Sequence, residues 1–206
     1  ILTKKKRQSI MPPAERTMYR GPIAGDSFYL KEACEMIQKS ERPVIVLGQG
    51  FGRPGRYEEM KEAANKLGIP VITTIHSSGV FCGDDTCYAG DASLFMNSTS
   101  GTELLNKADL FIVAGIDPYS ERILSAMKNS SYLKGIIQIE IDPSSFADDI
   151  PNLCPVHADP KSSFSYFERE AKMNKNALRV WRDDFYKDCD LLALELSKKS
   201  NNSGEI

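Results

Sequence analysis

The sequence contains few of the residues that most often build metal and redox sites. It has two histidines in 206 residues, and its five cysteines are scattered and odd in number. That usage is typical of a reducing compartment rather than of a disulfide framework. Cys82 and Cys87 are separated by four residues and no second such pair occurs, which disfavours a zinc site. We therefore expect a cytoplasmic chain that binds no metal itself.

Long apolar runs and an excess of charge are also missing. No run approaches the roughly 20 apolar residues that span a bilayer, and we expect no signal peptide. The net charge of −2 gives no reason to expect a nucleic-acid or membrane partner. The single basic block, Lys4–Arg7, indicates a solvated end, with a nuclear or RNA-binding segment as the alternative. The first residue is isoleucine, so we expect a processed or excised piece of a longer protein.

Short apolar runs alternate with helix-like stretches through the middle of the chain. Pro43–Gly48 precedes a glycine-rich turn and a helical stretch at Tyr57–Leu67, and further runs occupy Ile69–Thr74, Ala108–Gly115 and Ile136–Asp142. Near-continuous apolar strands separated by helices are typical of a parallel sheet covered on both faces. We predict a doubly wound α/β domain with a mostly parallel, six-stranded, Rossmann-like sheet. Ligands of such sheets bind beyond the carboxyl ends of the strands.

Periodicity and turn residues predict the individual elements. The predicted strands are Val44–Leu47, Val71–Thr73, Cys87–Ala89, Leu110–Ala114, Ile136–Ile141 and a short one near Val156. The predicted helices are Ser27–Ser40 (capped by Ser27), Tyr57–Leu67, Thr102–Lys107, Ser120–Met127, one that starts at Pro160, and one from Asn174 to about Lys199. The chain then divides into a linker or arm at 1–26, a central nucleotide-binding-like domain at 27–172, and a C-terminal helix and tail at 173–206.

The first glycine-rich turn lies where a dinucleotide fingerprint places its phosphate-binding glycines, between a strand and a helix. The spacing of Gly48, Gly50, Gly52 and Gly55 does not match that fingerprint, and the second strand ends in threonine rather than in an acidic residue. A standard NAD site is therefore disfavoured. Two interpretations remain, a turn that approaches a phosphate and a turn that is purely structural.

Other polar residues near strand ends allow a functional and a structural interpretation each. Asp142, followed by Pro143, can accept hydrogen bonds from a ribose or adenine, or can simply form a turn. Arg122 can pair with a phosphate or lie at the surface. His76 and His157 have no nucleophile beside them in the sequence, so we assign no catalytic residue.

One segment resembles a magnesium motif. Gly90–Asn97 is similar to the GDG-containing segment by which thiamine diphosphate enzymes bind Mg²⁺ on the diphosphate. That motif needs a further oxygen ligand, commonly from an asparagine pair, some 25–30 residues later by the family pattern. The corresponding window here, ADLFIVAGIDPYSER, contains no asparagine. We therefore interpret Asp91 as a loop residue.

A set of segments in a fixed order resembles one family. The segments are RPVIVLGQG, EEMKEAANKLGIPVITT, GVFCGDD, YAGDAS, ELLNKADLFIVAGIDP, IIQIEIDPSSF and VHADPK. From about Ser27 to Phe167 they resemble the central domain of thiamine diphosphate-dependent enzymes, acetolactate synthase and its relatives above all. In that family the pyrimidine-binding and diphosphate-binding domains carry the cofactor motifs, and the central domain contributes no catalytic residue. The resemblance implies a parent that acts on 2-oxo acids by decarboxylation or carboligation, with thiamine diphosphate and Mg²⁺.

The resemblance also implies a nucleotide site. Central domains of acetolactate synthases bind FAD as a largely structural cofactor, and those of some relatives bind ADP or nothing. The implied cofactor-binding positions are Gly48, Gln49, Gly50, Thr74, Ile75, Gly115, Arg122, Ile141, Asp142 and Asp159. Two flavin-contacting loops depart from the family pattern, at Ser93–Asn97 and at Gly115–Arg122. We therefore expect the ADP half of a nucleotide to bind, and FAD itself to bind poorly.

Two hypotheses of different classes follow. In the first, the chain is the central domain of such an enzyme, inert alone, with the pyrimidine-binding and diphosphate-binding domains as partners. In the second, it is a free-standing nucleotide-binding regulatory or assembly module. In the first case we expect exposed apolar surface that the partner domains normally cover, and weak self-association as a homodimer.

Overall fold

The central feature of the fold is one parallel sheet. The computed structural model describes residues 23–52, 57–81, 85–116, 122–150 and 152–202. The strands are β1 (Pro43–Leu47), β2 (Val71–Thr73), β3 (Tyr88–Asp91), β4 (Leu110–Ala114), β5 (Gly135–Glu140) and β6 (Leu153–His157). They pair in the order β3-β2-β1-β4-β5-β6, and each of the five pairings is parallel. The predicted doubly wound, Rossmann-like sheet is confirmed.

Helices cover both faces of this sheet. The α-helices of the described residues are α1 (Ser27–Lys39), α2 (Tyr57–Leu67), α3 (Ala92–Met96), α4 (Thr99–Leu105), α5 (Arg122–Met127), α6 (Pro160–Glu170) and α7 (Lys175–Asn202). One face packs against α1, α2 and α6, and the other against α3, α4, α5 and the middle of α7. Successive residues of a strand point to opposite faces, so both layers draw on the same apolar runs. Every residue of β1, β4 and β5 is buried as a result.

Several predicted boundaries shift by one to three residues because side-chain caps decide where helices begin. Asp26, not Ser27, caps α1, and its carboxylate accepts a hydrogen bond from Phe28 N–H at 2.8 Å. Ser98 caps α4, so that helix begins at Thr99 rather than at Thr102. The arm predicted at 1–26 lies outside the described residues up to position 22. The predicted start of α5 at Ser120 also lies outside them.

A buried aspartate holds the amino-terminal edge of the sheet together. The Asp109 carboxylate, 1% exposed, accepts hydrogen bonds from Ser40 Oγ at 2.5 Å and from the backbone N–H groups of Glu41 and Arg42 at 3.1 and 2.9 Å. The ammonium group of Lys134 forms an ion pair with the same carboxylate, with Nζ 2.8 Å from Asp109 Oδ2. Burial opposes ionisation, but these four donors nevertheless keep the pKa of Asp109 below its usual value. One side chain thus connects the segments that enter β1, β4 and β5.

The last helix crosses the same edge. Leu178 packs in the first layer of the core and Phe185 in the second, so α7 passes from one face of the sheet to the other. Between them, Trp181 Nε1 donates a hydrogen bond to Pro43 O at 3.0 Å. The helix predicted from Asn174 is therefore present and packs on the domain. Although α7 has 28 residues, none of the described helices is long and apolar enough to cross a membrane.

Candidate functional site

The strand order reverses between β1 and β4, and the turns that follow these two strands contact each other. We call Gly48–Gly50 and Gly115 the switch-point turns. Gly48 N–H donates to Ala114 O at 2.9 Å, and Gly50 N–H donates to Gly115 O at 2.8 Å. In open α/β sheets the ligand binds beyond the carboxyl ends of the strands at this reversal. The predicted positions Gly48, Gln49, Gly50 and Gly115 are therefore brought together there.

The switch-point turns approach so closely that only glycine fits. A Cβ atom on Gly115 would lie 2.1 Å from Phe51 N, and φ at Gly115 is +65°. A Cβ on Gly48 would lie 2.3 Å from Gly115 O, and one on Gly50 would lie 2.8 Å from Gly115 Cα. Close packing of the two turns is therefore enough to explain these glycines as structural turn residues, without any ligand. The Gly50 N–H group is also already used by Gly115 O.

The loop after β2 is fixed to the end of β1. Thr74 N–H and Ser77 Oγ both donate to Leu47 O, at 2.8 and 2.7 Å. Thr74 is fully buried, whereas the next side chain, Ile75, is 68% exposed. Of these two predicted site residues, only Ile75 is available at the surface for a ligand. Sequence reasoning missed Ser77, whose hydroxyl holds the loop in place.

Both acidic residues of the predicted site cap helical turns. Asp142 Oδ1 accepts hydrogen bonds from Ser144 N–H at 2.9 Å and from Ser144 Oγ at 2.7 Å. Asp159 Oδ1 accepts from Lys161 N–H at 2.9 Å, at the start of α6. Asp159 follows β6, two strands from β4, which places it roughly 10 Å further along the edge. The turn interpretation of Asp142 is therefore supported, and a ribose would have to share these carboxylates with the caps.

The remaining predicted site residues are Gln49, Ile141 and Arg122. The side chain of Gln49 is exposed within the first switch-point turn. Ile141 is half-buried, and its carbonyl oxygen lies 3.1 Å from His157 Nε2. Arg122 is the first residue of α5, but its side chain lies outside the described part of the structure. Of the predicted site residues, Gln49, Ile75 and Asp142 thus have exposed side chains at the carboxyl edge of the sheet.

The first of the two segments that depart from the family's flavin-contacting loops, Ser93–Asn97, lies largely in a helix. Residues Ala92–Met96 make up α3, in which Phe95 is fully buried and Leu94 half-buried. Asp91 ends β3 and caps α3, because its carboxylate accepts from Ser93 N–H and from Ser78 Oγ, both at 2.8 Å. The interpretation of Asp91 as a loop residue is therefore wrong. The sequence pattern missed α3 because its five residues are too few to display a helical period.

The remaining reactive groups of the described residues are buried or dispersed. Burial raises the pKa of the Cys34 thiol to about 11 and those of Cys87, Cys154 and Cys189 to about 12. A thiol with such a pKa is a poor nucleophile at neutral pH. Within the described ranges, no three histidine, cysteine or acidic side chains are grouped so that they could hold a metal ion. Cys82 lies outside those ranges.

Comparison with known proteins agrees with this architecture. Residues 30–166 match the family model described as thiamine pyrophosphate enzyme, central domain. The chain is 30% identical over 162 residues to the acetolactate synthase large subunit of Buchnera aphidicola subsp. Schlechtendalia chinensis, covering 76% of this chain and 27% of that protein. It is 25% identical over 189 residues to the same subunit from Buchnera aphidicola subsp. Schizaphis graminum, covering 89% and 32%.

A solved structure shows the same fold. A protein from Mycobacterium smegmatis, described as a thiamin diphosphate-dependent enzyme, superposes with a TM-score of 0.56 at 23% identity, over 75% of this chain and 30% of that one. The chain thus spans between about a quarter and a third of the length of these relatives. Because the family model matches residues 30–166 and those residues form the parallel sheet, the chain belongs to the central-domain family of thiamine pyrophosphate enzymes.

Proposed function

We propose that this chain serves as the catalytically inert central domain of an acetolactate synthase-like parent. That parent acts on 2-oxo acids by decarboxylation or carboligation, with thiamine diphosphate and Mg²⁺. The observation that carries the proposal is the family match over residues 30–166, which includes all six parallel strands and extends from within α1 into α6. α7 lies beyond that range. Pyrimidine-binding and diphosphate-binding domains are the expected partners, and the cytoplasm is the expected location.

In this proposal residues 27–172 form the domain, and residues 173–206 comprise a helix, which packs on the domain, and a tail. The contact between Phe185 of α7 and Phe95 of α3, with ring centroids 5.9 Å apart, supports this arrangement. The domain then positions its partners and performs no chemistry. We expect the purified chain, given pyruvate, thiamine diphosphate and Mg²⁺, to release no carbon dioxide above the cofactor-only control. Turnover that depends on the chain would refute the proposal.

The nucleotide part of the proposal concerns the switch-point turns. We expect the ADP half of a nucleotide to lie across them, with the diphosphate near Gly48–Gly50 and the ribose or base near Asp142. Gln49, Thr74, Ile75, Gly115, Arg122, Ile141 and Asp159 complete the proposed surroundings. When bound, ADP or FAD would supply cohesion between domains rather than redox chemistry. FAD is expected to bind poorly, because α3 occupies the sequence position of the family's flavin-contacting loop.

Calorimetric titration with ADP and with FAD tests this part. We expect ADP to bind in the micromolar range and FAD to bind more weakly. A Gln49→Ala variant should weaken ADP binding, and Glu35→Ala provides a matched control on an exposed site of α1. If neither nucleotide binds below millimolar concentration, the glycines serve only the turn contact, and the central-domain proposal is unaffected.

The second hypothesis, a free-standing regulatory or assembly module, differs from the first in gene organisation. A reading frame that continues into flanking cofactor domains supports the first hypothesis. An upstream start with a stop soon after residue 206 supports the second.

We also propose that the chain self-associates as a dimer through the outer face of α7. Leu191 and Leu194 are 64% and 56% exposed, and their spacing of three residues makes them neighbours on the helix surface. Exposed apolar side chains on one face mark interaction surfaces. Sedimentation at high concentration should detect dimers, and Leu191→Glu should shift the population to monomer. A monomer at all concentrations would contradict this assignment.

A further inference from the structure

A basic cleft lies at the opposite edge of the sheet from the switch-point turns. It has a volume of about 460 Å³ and is formed by the end of α2, the end of α6 and the first turns of α7. Four of the side chains that line it are cations and one is a carboxylate: Lys66, Lys175, Arg179, Arg182 and Glu168. We call it the amino-edge cleft. Its lining carries a formal excess of positive charge in a chain whose net charge is −2.

Two of the four cations have no internal counter-charge. Lys66 forms ion pairs with Glu62 and Glu168 at 3.0 and 3.4 Å, and Arg182 pairs with its neighbour Asp183. Lys175 and Arg179 are exposed, and neither forms an ion pair with any of the described residues. A charge that has no partner within the protein is available to a ligand.

Lys175 also stands at the unfavourable end of its helix, and Arg179 and Arg182 follow about one and two turns further along. Lys175, Arg179 and Arg182 are spaced four and three residues apart, so they lie on one face of α7. The first turn of α7 contains no acidic residue. The positive end of the helix dipole repels a cation in the first turn, here Lys175, at a cost of some tenths of a kcal/mol. A bound anion would reverse that repulsion, because it would interact favourably with the helix end and with the side chains.

The floor of the cleft is apolar. Leu67 and Leu178 are buried in the first layer of the core and line the cleft, together with the half-buried Met173. An apolar floor beneath a cationic rim suits an organic anion, whose charged group contacts the rim while its body covers the floor. Arginine is well suited to phosphate, since its planar guanidinium donates two parallel hydrogen bonds.

We propose that the amino-edge cleft binds a small phosphorylated metabolite, with Arg179, Arg182 and Lys175 holding the phosphate. The site is separate from the switch-point turns, because α2 and α6 run from the carboxyl edge of the sheet back to its amino edge. It does not depend on the proposed central-domain function. Nothing in the sequence analysis singled out this cluster, although its spacing was visible in the sequence.

Calorimetry with inorganic pyrophosphate tests the proposal on the intact chain. We expect pyrophosphate to bind and malonate, a carboxylate of similar size, to bind at least tenfold more weakly. Arg179→Gln should weaken pyrophosphate binding at least tenfold, and Lys175→Gln should weaken it in the same direction. Lys187→Gln is the matched control, because Lys187 is an exposed cation of the same helix outside the cleft. It should leave the affinity unchanged.

Thermal unfolding separates a ligand site from a structural role of Arg179. Without ligand, Arg179→Gln should leave the Tm unchanged, because Arg179 is exposed and forms no ion pair with the described residues. With pyrophosphate, the wild-type Tm should rise and the variant's should not. The proposal fails if wild-type chain does not bind pyrophosphate below millimolar concentration, or if Lys187→Gln weakens binding as much as Arg179→Gln does. Equal affinity for malonate would overturn the assignment to phosphates.

Discussion

Replacing Gly115 with alanine is expected to lower the free energy of unfolding by more than about 3 kcal/mol. The new Cβ would lie 2.1 Å from Phe51 N and 2.4 Å from Gly50 C. Both are backbone atoms of the facing turn, so no side-chain rotation relieves the overlap. The backbone strain of alanine at a φ of +65° adds to it.

Gly79→Ala is the matched control for this experiment. Gly79 has a φ of +97°, which strains an alanine at least as much as +65° does, but a Cβ there meets nothing within 4 Å. We expect the free energy of unfolding of this variant to fall only by the cost of backbone strain, about 1–2 kcal/mol. Urea unfolding of both variants, followed by circular dichroism, measures the difference. Equal losses would show that strain alone, rather than contact between the switch-point turns, requires glycine at position 115.

Asp109→Ala is expected to lower the free energy of unfolding by about 2–4 kcal/mol, since it leaves several partly buried donors without their acceptor. Ser40 Oγ, two backbone N–H groups and Lys134 Nζ all depend on this carboxylate. Asp149→Ala is the control. It removes a carboxylate that also pairs with a lysine, Lys128, but that is 69% exposed, so the loss should be much smaller.

The Asp109 carboxylate should also make the stability of the folded chain depend on pH. The pKa of Asp109 is lower in the folded chain than its ordinary value of 3.8, so the folded state holds its proton less tightly than the unfolded state does. Its stabilising contribution is therefore complete above that ordinary value and is lost as the pH falls through the folded pKa. Asp109→Asn should flatten the acid limb of the stability profile. An unchanged acid limb in this variant would assign the acid sensitivity to other groups.

The parts of the fold that local pattern determines could be predicted from the sequence. β2 and β4 have the predicted bounds, because their buried apolar runs end at clear turn residues. The burial of Leu30, Ala33, Cys34 and Ile37 follows from helical spacing alone. α3 could not be predicted, since its five residues are held by packing of Phe95 against Phe185, about 90 positions further along the chain.

In the candidate site, too, the features set by local sequence could be predicted and those set by tertiary packing could not. Its glycines could be found from their position after strands, because turn chemistry is local. Their mutual contact could not, because it joins residue 48 to residue 115 through tertiary packing. The capping roles of Asp142 and Asp159 were within reach, since an aspartate followed by proline at a helix start is a recognisable cap. The amino-edge cleft depends on how α7 crosses the sheet, which no local pattern specifies.

The hydrogen bond from the indole of Trp181 to Pro43 O gives the chain an optical reporter of its own. Trp181 is the sole tryptophan, and its neighbour Arg182 lines the amino-edge cleft. A nucleotide at the switch-point turns would lie at the far end of β1, roughly 17 Å away along the strand. Intrinsic fluorescence should therefore change when the cleft is filled and stay constant when only the distant edge is occupied, so one unlabelled fluorophore distinguishes the two binding events.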